Sequence, residues 1–204
     1  MQPPDQPSVI AGNEPLQEFA HWLNSQNYRG LFVLTDSEVA EEAFPLIEPY
    51  LQEKGLKGVL TIPPGEGNKT LECCEDVWHE LINNDATRNA LLINLGGGLV
   101  TDLGGFVAST FKRGMPFVNI PTTLLGMVDA AIGGKTGINF QGLKNQLGVF
   151  REPDRTVIAP AFLNTLEDRQ LLSGYAEMVK HALIANAGLW QQFRALHPLD
   201  RDQL

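Results

Sequence analysis

Between Leu95 and Gly148 the chain collects the residue types that bind small polar anions. Gly96-Gly97-Gly98 follows an apolar run, Ala90–Leu95, and precedes a segment with Leu99, Leu103, Phe106, Val107 and Thr110 at helical spacing. Strand, glycine turn and helix in that order bare a helix N-terminus, whose unpaired N–H groups attract phosphate. Without its neighbours the cluster would read equally well as a tight turn. Lys112-Arg113-Gly114, Pro121-Thr122-Thr123, Asp129, Gly133-Gly134-Lys135-Thr136-Gly137 and Lys144-Asn145 follow within the same stretch. Asp129 sits between TTLLGMV and AAIGG, where a carboxylate needs a partner or a ligand hydroxyl, or serves as a cap. Asp102, one turn into the helix, suits either a ligand hydroxyl or the helix dipole. Thr101 stands where a GxGxxG motif has its last glycine, which leaves close helix packing there in doubt. GGKT is close to a Walker loop, but position 129 is Asp where GxxxxGK[ST] has Gly, so a kinase or NTPase reading is poor.

Elements of an α/β protein must position these groups. Leu31–Thr35, Lys57–Ile62, Ala90–Leu95, Phe117–Ile120 and Thr156–Ala159 read as buried parallel strands. Amphipathic helices are predicted over 13–27, after Asp36-Ser37, over 69–83 with Leu71, Cys74, Val77, Trp78 and Leu81 inward, and over 167–186. Pro45 and Pro49 should bend or shorten the second helix. Residues 1–10 read as a Pro-rich arm or edge, and 137–148 as a hairpin or ordered loop. Ligands of parallel sheets sit beyond the carboxyl ends of the strands. Asp36, the loop after Ile62, Gly96–Gly98 and Thr122-Thr123 each follow a strand directly, so they should gather at one edge. Asp36 could there bind ribose hydroxyls or cap the next helix. The fold class is thus α/β, a Rossmann-like, mostly parallel sheet with flanking helices to about residue 159. Residues 160–204 read as the truncated start of an all-α domain.

Composition narrows the partners. The net charge is −9, but residues 1–95 carry 5 Lys/Arg against 15 Asp/Glu while residues 96–180 carry 8 against 7. The acidic first half argues against nucleic acid, and the second half places cations beside the glycines. No run of about 18 apolar residues suggests a membrane span, and the first residues lack the pattern of a secretory signal. Cys73-Cys74 are adjacent and form no disulfide framework, which fits a reducing cytoplasm.

Five stretches, GGGLVTDLGGF, FKRG, PTTLLGMVDAAIGGKTGIN, GLKNQLGVF and GYAEMVKHALI, occur in one order and resemble the dehydroquinate synthase family of the sugar-phosphate cyclases. The resemblance runs from about Pro64 to Ile184. It implies a carbon–oxygen lyase of the shikimate pathway that converts 3-deoxy-D-arabino-heptulosonate 7-phosphate into 3-dehydroquinate and phosphate. The implied course is transient oxidation by NAD, phosphate elimination, reduction and aldol closure, with a divalent metal, zinc or cobalt. It implies NAD contacts from Asp36, Gly65, Glu66, Lys69, Gly97, Gly98, Asp102, Thr122, Thr123, Lys144, Phe162 and Thr165. It assigns substrate binding to Arg113, Asp129, Lys135, Asn145 and Lys180, the last four also as catalytic residues, and metal binding to Glu177. The residue two after Asp36 is often Asn in the family and is Glu38 here, which cannot donate a hydrogen bond. His181, at i+4 from Glu177, could chelate with it, whereas the family's two histidine ligands lie beyond Leu204. The 204-residue chain alone is therefore expected to bind metal weakly and to be inactive, and the full-length protein to be a cytoplasmic homodimer. Two other readings are a cyclase for another sugar phosphate, such as a 2-deoxy-scyllo-inosose synthase-like enzyme, and a non-catalytic NAD-binding fragment.

Overall fold

A computed structural model describes residues 9–185, 187–201 and 204; residues 1–8 of the Pro-rich arm and Asn186 lie outside it. Six strands form one sheet: β1 (Val9–Ala11), β2 (Leu31–Asp36), β3 (Leu56–Ile62), β4 (Leu91–Gly96), β5 (Phe117–Pro121) and, late in the chain, β8 (Arg155–Ile158). Their order is β1-β8-β5-β4-β2-β3, and every pairing is parallel. A separate antiparallel hairpin joins β6 (Lys135–Phe140) to β7 (Leu143–Phe150).

The central strands are apolar along their length because both faces of the sheet are covered. Alternation divides their side chains: Leu31, Val33, Leu91, Ile93 and Leu95 point to one core, and Phe32, Leu34 and Leu92 to the other. The first core is closed by Phe19 and Leu23 of α1 (Pro15–Asn24) and Ile47 and Leu51 of α3 (Phe44–Leu51). The second is closed by α4 (Leu71–Asn83) and α5 (Gly98–Thr110) through Cys74, Val77, Leu81, Val100, Leu103 and Val107. Leu171 and Met178 of α6 (Asp168–Ala185) join the first core, and the short α7 (Ala187–Phe193) follows. Among the described residues no helix is long and apolar enough to cross a membrane.

Local chemistry explains where the helices break. The helix expected after Asp36 is two: α2 (Ser37–Glu42) and α3, which begins beside Pro45 and contains Pro49. Proline lacks the N–H needed to continue a helix, yet suits its first turn. Helix α4 starts at Leu71 rather than Lys69, because the Thr70 hydroxyl accepts from Cys73 N and caps it. Leu71 is 36% exposed, contrary to its expected inward placement, and Cys73 is buried instead. As the first residue of the helix, Leu71 lines a surface groove with Phe140 and Leu143 of the hairpin.

The doubt about helix packing at Thr101 is resolved one turn later. A Cβ on Gly104 would lie 2.0 Å from Asn94 Oδ1 and 2.9 Å from Leu34 Cδ2, and one on Gly105 would lie 2.4 Å from Thr136 Cγ2. These two glycines, not a third glycine of the loop, bring α5 against β4 and the hairpin. The consecutive glycines inside an apolar-periodic helix were the available signal.

Candidate functional site

The order of strand addition reverses between the parallel neighbours β2 and β4: from β2 the chain steps outward to β3, and from β4 it steps the other way to β5 and β8. A parallel sheet opens a crevice at such a point. The crevice is a cleft of about 690 Å³ lined by Asp36, Gly65, Glu66, Gly97, Thr122 and Thr165 among others. The four strand ends expected to meet do so here.

Asp36 ends β2 and caps α2, its Oδ1 accepting from Glu38 N (3.1 Å) and Val39 N (3.0 Å). It therefore serves as a cap and also faces the cleft. Glu38 lines the cleft beside it. Gly97 is the N-cap of α5, and no side chain caps that helix, so its first-turn N–H groups stay open to the cleft. A Cβ on Gly97 would lie 3.1 Å from Thr123 Cγ2 and one on Gly98 would lie 3.3 Å from Ala130 Cβ, so bulkier residues would narrow the cradle. The Thr122 hydroxyl is buried without a hydrogen-bond partner, which a bound polar group would supply.

A second cavity of about 490 Å³ is lined by Asp102, Asp129, Lys135 and Asn145 and adjoins the first at Ala130. Asp129 lies in a π-helical turn, Gly126–Ala130, and its side chain is 45% exposed, so it is not enclosed by the apolar residues around it in sequence. Gly174 brings α6 to this turn: a Cβ there would lie 2.6 Å from the backbone N of Leu125. One turn further on, Glu177 and His181 meet Asp129. Their ligand atoms lie within 4.8 Å of one another, with His181 Nε2 3.4 Å from Asp129 Oδ1. Two carboxylates and an imidazole are a donor set suited to a divalent cation. Lys180 sits among them, paired with Glu177 and 3.8 Å from Asp129. The hydrogen bond to Glu177 is the main reason its ammonium is held above the usual lysine range.

Of the residues named from the resemblance, Asp102 lines the second cavity rather than the first, Lys180 lines neither and approaches Asp129 from α6, and four more are placed differently. Arg113 follows α5 at the end opposite Gly98, about 20 Å away at 1.5 Å per residue, and lines neither cavity. The helix length alone could have shown this. Phe162 is fully buried in the first core, so its ring is packing rather than cleft wall. Lys144 lines a separate groove at the hairpin tip. Lys69 is 3% exposed and its ammonium is bonded to Asp102 and Asn145. Glu177 and His181 stand together as their i+4 spacing allowed, and the structure adds Asp129, which residue spacing did not reveal.

Fold and clefts define a Rossmann-like α/β protein with a crevice at the carboxyl edge of its sheet and a carboxylate–lysine cluster beside it. Residues 59–173 match the family described as 3-dehydroquinate synthase N-terminal. The chain belongs to the 3-dehydroquinate synthase family. It is 47% identical over 180 residues to 3-dehydroquinate synthase of Parabacteroides distasonis, covering 87% of this chain and 50% of the relative. It is 43% identical over 162 residues to that of Chlamydia caviae, covering 79% and 43%. The chain thus spans about half the length of the curated relatives it matches. Among solved structures, 2-epi-5-epi-valiolone synthase from Streptomyces hygroscopicus, with NAD+ and Zn2+ bound, superposes with a TM-score of 0.75 at 34% identity over 83% of this chain and 49% of that one. A 2-deoxy-scyllo-inosose synthase complexed with carbaglucose-6-phosphate, NAD+ and Co2+ shares the fold, with a TM-score of 0.83 at 22% identity over 96% and 56%.

Proposed function

We propose that this chain supplies the cofactor half, and part of the substrate site, of a 3-dehydroquinate synthase that turns a seven-carbon keto-sugar acid phosphate into 3-dehydroquinate and phosphate. The observation that carries the reading is the junction of two clefts, one framed by glycines and a bare helix N-terminus, the other lined by Lys135, Asp102 and Asp129, with Lys180 beside Asp129. The first suits a dinucleotide: Asp36 for the adenosine ribose, Gly97 and Gly98 for the pyrophosphate, with Thr122 and Thr123 beside them. The orphaned Thr122 hydroxyl and the cradle that a Cβ at Gly97 would narrow support NAD there.

Lys135 in the second cleft and Lys180 beside Asp129 offer the cations that a phosphate and a carboxylate require. Asn145 orients a substrate hydroxyl and Asp129 accepts from another. Glu177, with Asp129 and His181, would hold a divalent metal. When bound, NAD would supply reversible hydride transfer and the metal Lewis-acid polarisation of the reacting hydroxyl and carbonyl. The protein's own part is to orient the sugar ring, hold its charged ends and keep it close to the cofactor.

The domain boundary falls near Ala159, with α6 opening the part that carries the metal ligand. Buried, unpaired Cys73 and Cys74 support a reducing, cytoplasmic setting, and a homodimer is the assembly we assign to the full-length protein. NAD titration followed by phosphate release from heptulosonate phosphate, with added NAD and zinc, tests the reading. The 204-residue chain should bind NAD and release no phosphate by itself. Failure to bind NAD would sink the cofactor assignment, and turnover would show that no further metal ligands are needed. In a catalytically complete protein, Lys135→Ala should weaken substrate binding by about 1.5–3 kcal/mol, the worth of a charge-assisted contact, and leave NAD binding intact. Unchanged kinetics would make the GGKTG loop structural.

A further inference from the structure

Lys69 was expected at the cofactor, in a loop that follows β3. It lines neither cleft. Its ammonium stands behind the wall of the second one, 2.5 Å from Asp102 Oδ2 and 2.7 Å from Asn145 Oδ1. A lysine is almost never this buried unless paired, and here two of its three N–H donors are taken by residues that do line the cavity.

The bonds close into a ring. Asn139 N donates to Lys69 O at 2.8 Å, Asn145 N donates to Asn139 Oδ1 at 2.9 Å, and Lys69 Nζ donates to Asn145 Oδ1. Asn139 Nδ2 adds a bond to Glu66 Oε1 at 3.0 Å. The ring sits where the hairpin's register slips: Ile138 pairs with Leu147 but Phe140 with Leu143, so Asn139 alone opposes three residues. Bulges of this kind re-aim a side chain beside a site. Asn145 has φ +53°, a conformation that asparagine tolerates better than most residues. Its backbone and its side chain are both fixed by the ring.

We propose that Lys69 is a positioning residue: its buried ammonium, shared between Asp102 on α5 and Asn145 at the hairpin bulge, clamps the β6–β7 hairpin to the sheet and sets where Asn145 stands in the second cleft. The clamp ties the loop after β3, the first turns of α5 and the hairpin into one unit, so the walls of the cofactor and substrate clefts share a support. The bearing on substrate rests on the reading of Asn145 given above; the clamp itself does not.

Hydrogen exchange measured by mass spectrometry on the 204-residue chain tests it. In Lys69→Met, exchange over residues 139–146 should rise at least tenfold more than exchange in β4 and β5, a ratio that cancels any general loss of stability. Lys69→Arg, which keeps the cation, should recover part of that protection. Asn139→Ala breaks the ring from the hairpin side without touching the ion pair, and should give the same local rise with the melting temperature and NAD affinity of the parent. The proposal is overturned if both Lys69→Met and Asn139→Ala leave the hairpin ratio at the parent value. It is also overturned if Lys69→Met weakens NAD binding while the hairpin stays protected, which would make Lys69 a cofactor ligand. Should Lys69→Met fail to fold, Lys69→Gln, which stays polar but is too short to bridge Asp102 and Asn145, is read by the same ratio and decides. Added heptulosonate phosphate should protect residues 139–146 in the parent chain. Absence of that protection with the clamp intact would count against the functional reading and leave the clamp standing.

Discussion

Lys180 Nζ stands 3.8 Å from Asp129 Oδ1, so a cation of the protein's own spans from α6 to the π-helical turn where Glu177, Asp129 and His181 meet. An ammonium at that point satisfies the carboxylates when no metal does.

A divalent metal and Lys180 should therefore compete for the same oxygens. Titrating the chain with Co2+ and following its visible absorption should show weak binding that tightens in Lys180→Met. Removing a ligand in Glu177→Gln or His181→Ala should lower affinity by more than ~10-fold, a loss that even an outer-shell partner can cause. Equal affinities in all four proteins would mean that the three side chains do not form a metal site.

The dinucleotide preference should follow from Asp36. Its carboxylate would repel a 2′-phosphate, and no arginine adjoins it in sequence. Fluorescence titration should show NAD bound at least ~10-fold more tightly than NADP, a gap of about 1.4 kcal/mol. Parity between the two would remove Asp36 from the ribose site.

Removal of Lys69 should show a pH dependence of known sign. Burial pushes the Asp102 carboxyl above its usual range, while the charge and hydrogen bond of Lys69 pull it back. In Lys69→Met only the upward push remains. The folded state then takes up a proton before the unfolded chain does, so this group's contribution is full below the ordinary carboxylate range and is lost as pH rises through the folded value. Urea denaturation should find the variant about 1–3 kcal/mol less stable at pH 7, the cost of an unsatisfied buried polar group, with the deficit shrinking towards pH 5. A deficit that does not change with pH would argue that Asp102 is solvated and unstrained.

Gly104→Ala should destabilise the chain although alanine is the better helix former. The gain of about 1 kcal/mol in propensity is set against a Cβ 2.0 Å from the buried Asn94 Oδ1 and 2.9 Å from Leu34 Cδ2. Overpacking of this kind costs about 1–3 kcal/mol. Denaturant midpoints decide it, and a stabilised variant would show that α5 can move off β4 freely.

Much of this architecture follows from local pattern. Leu31–Asp36 and Leu91–Gly96 are legible as buried strands because their apolar runs are too short for helices and are bounded by glycine and polar turn residues. Once the strands are parallel, their carboxyl ends lie on one edge, so Asp36, Gly97 and Thr122 had to converge. Other relationships depend on long-range closure. Lys69 reads by pattern as the first residue of the helix over 69–83, and only the hairpin folding over α5 buries it against Asp102 and Asn145. Asp129 and Glu177 become neighbours only because Gly174 admits α6 against the turn at Leu124–Leu125. Arg113 shares the chemistry of the other cations, yet the rigid length of α5 carries it away from them. Residue types and periodicity determine which segments become strands and helices, because those preferences act over a few residues. Which side chains finally meet is decided by packing between segments far apart in the chain, and no local pattern records that.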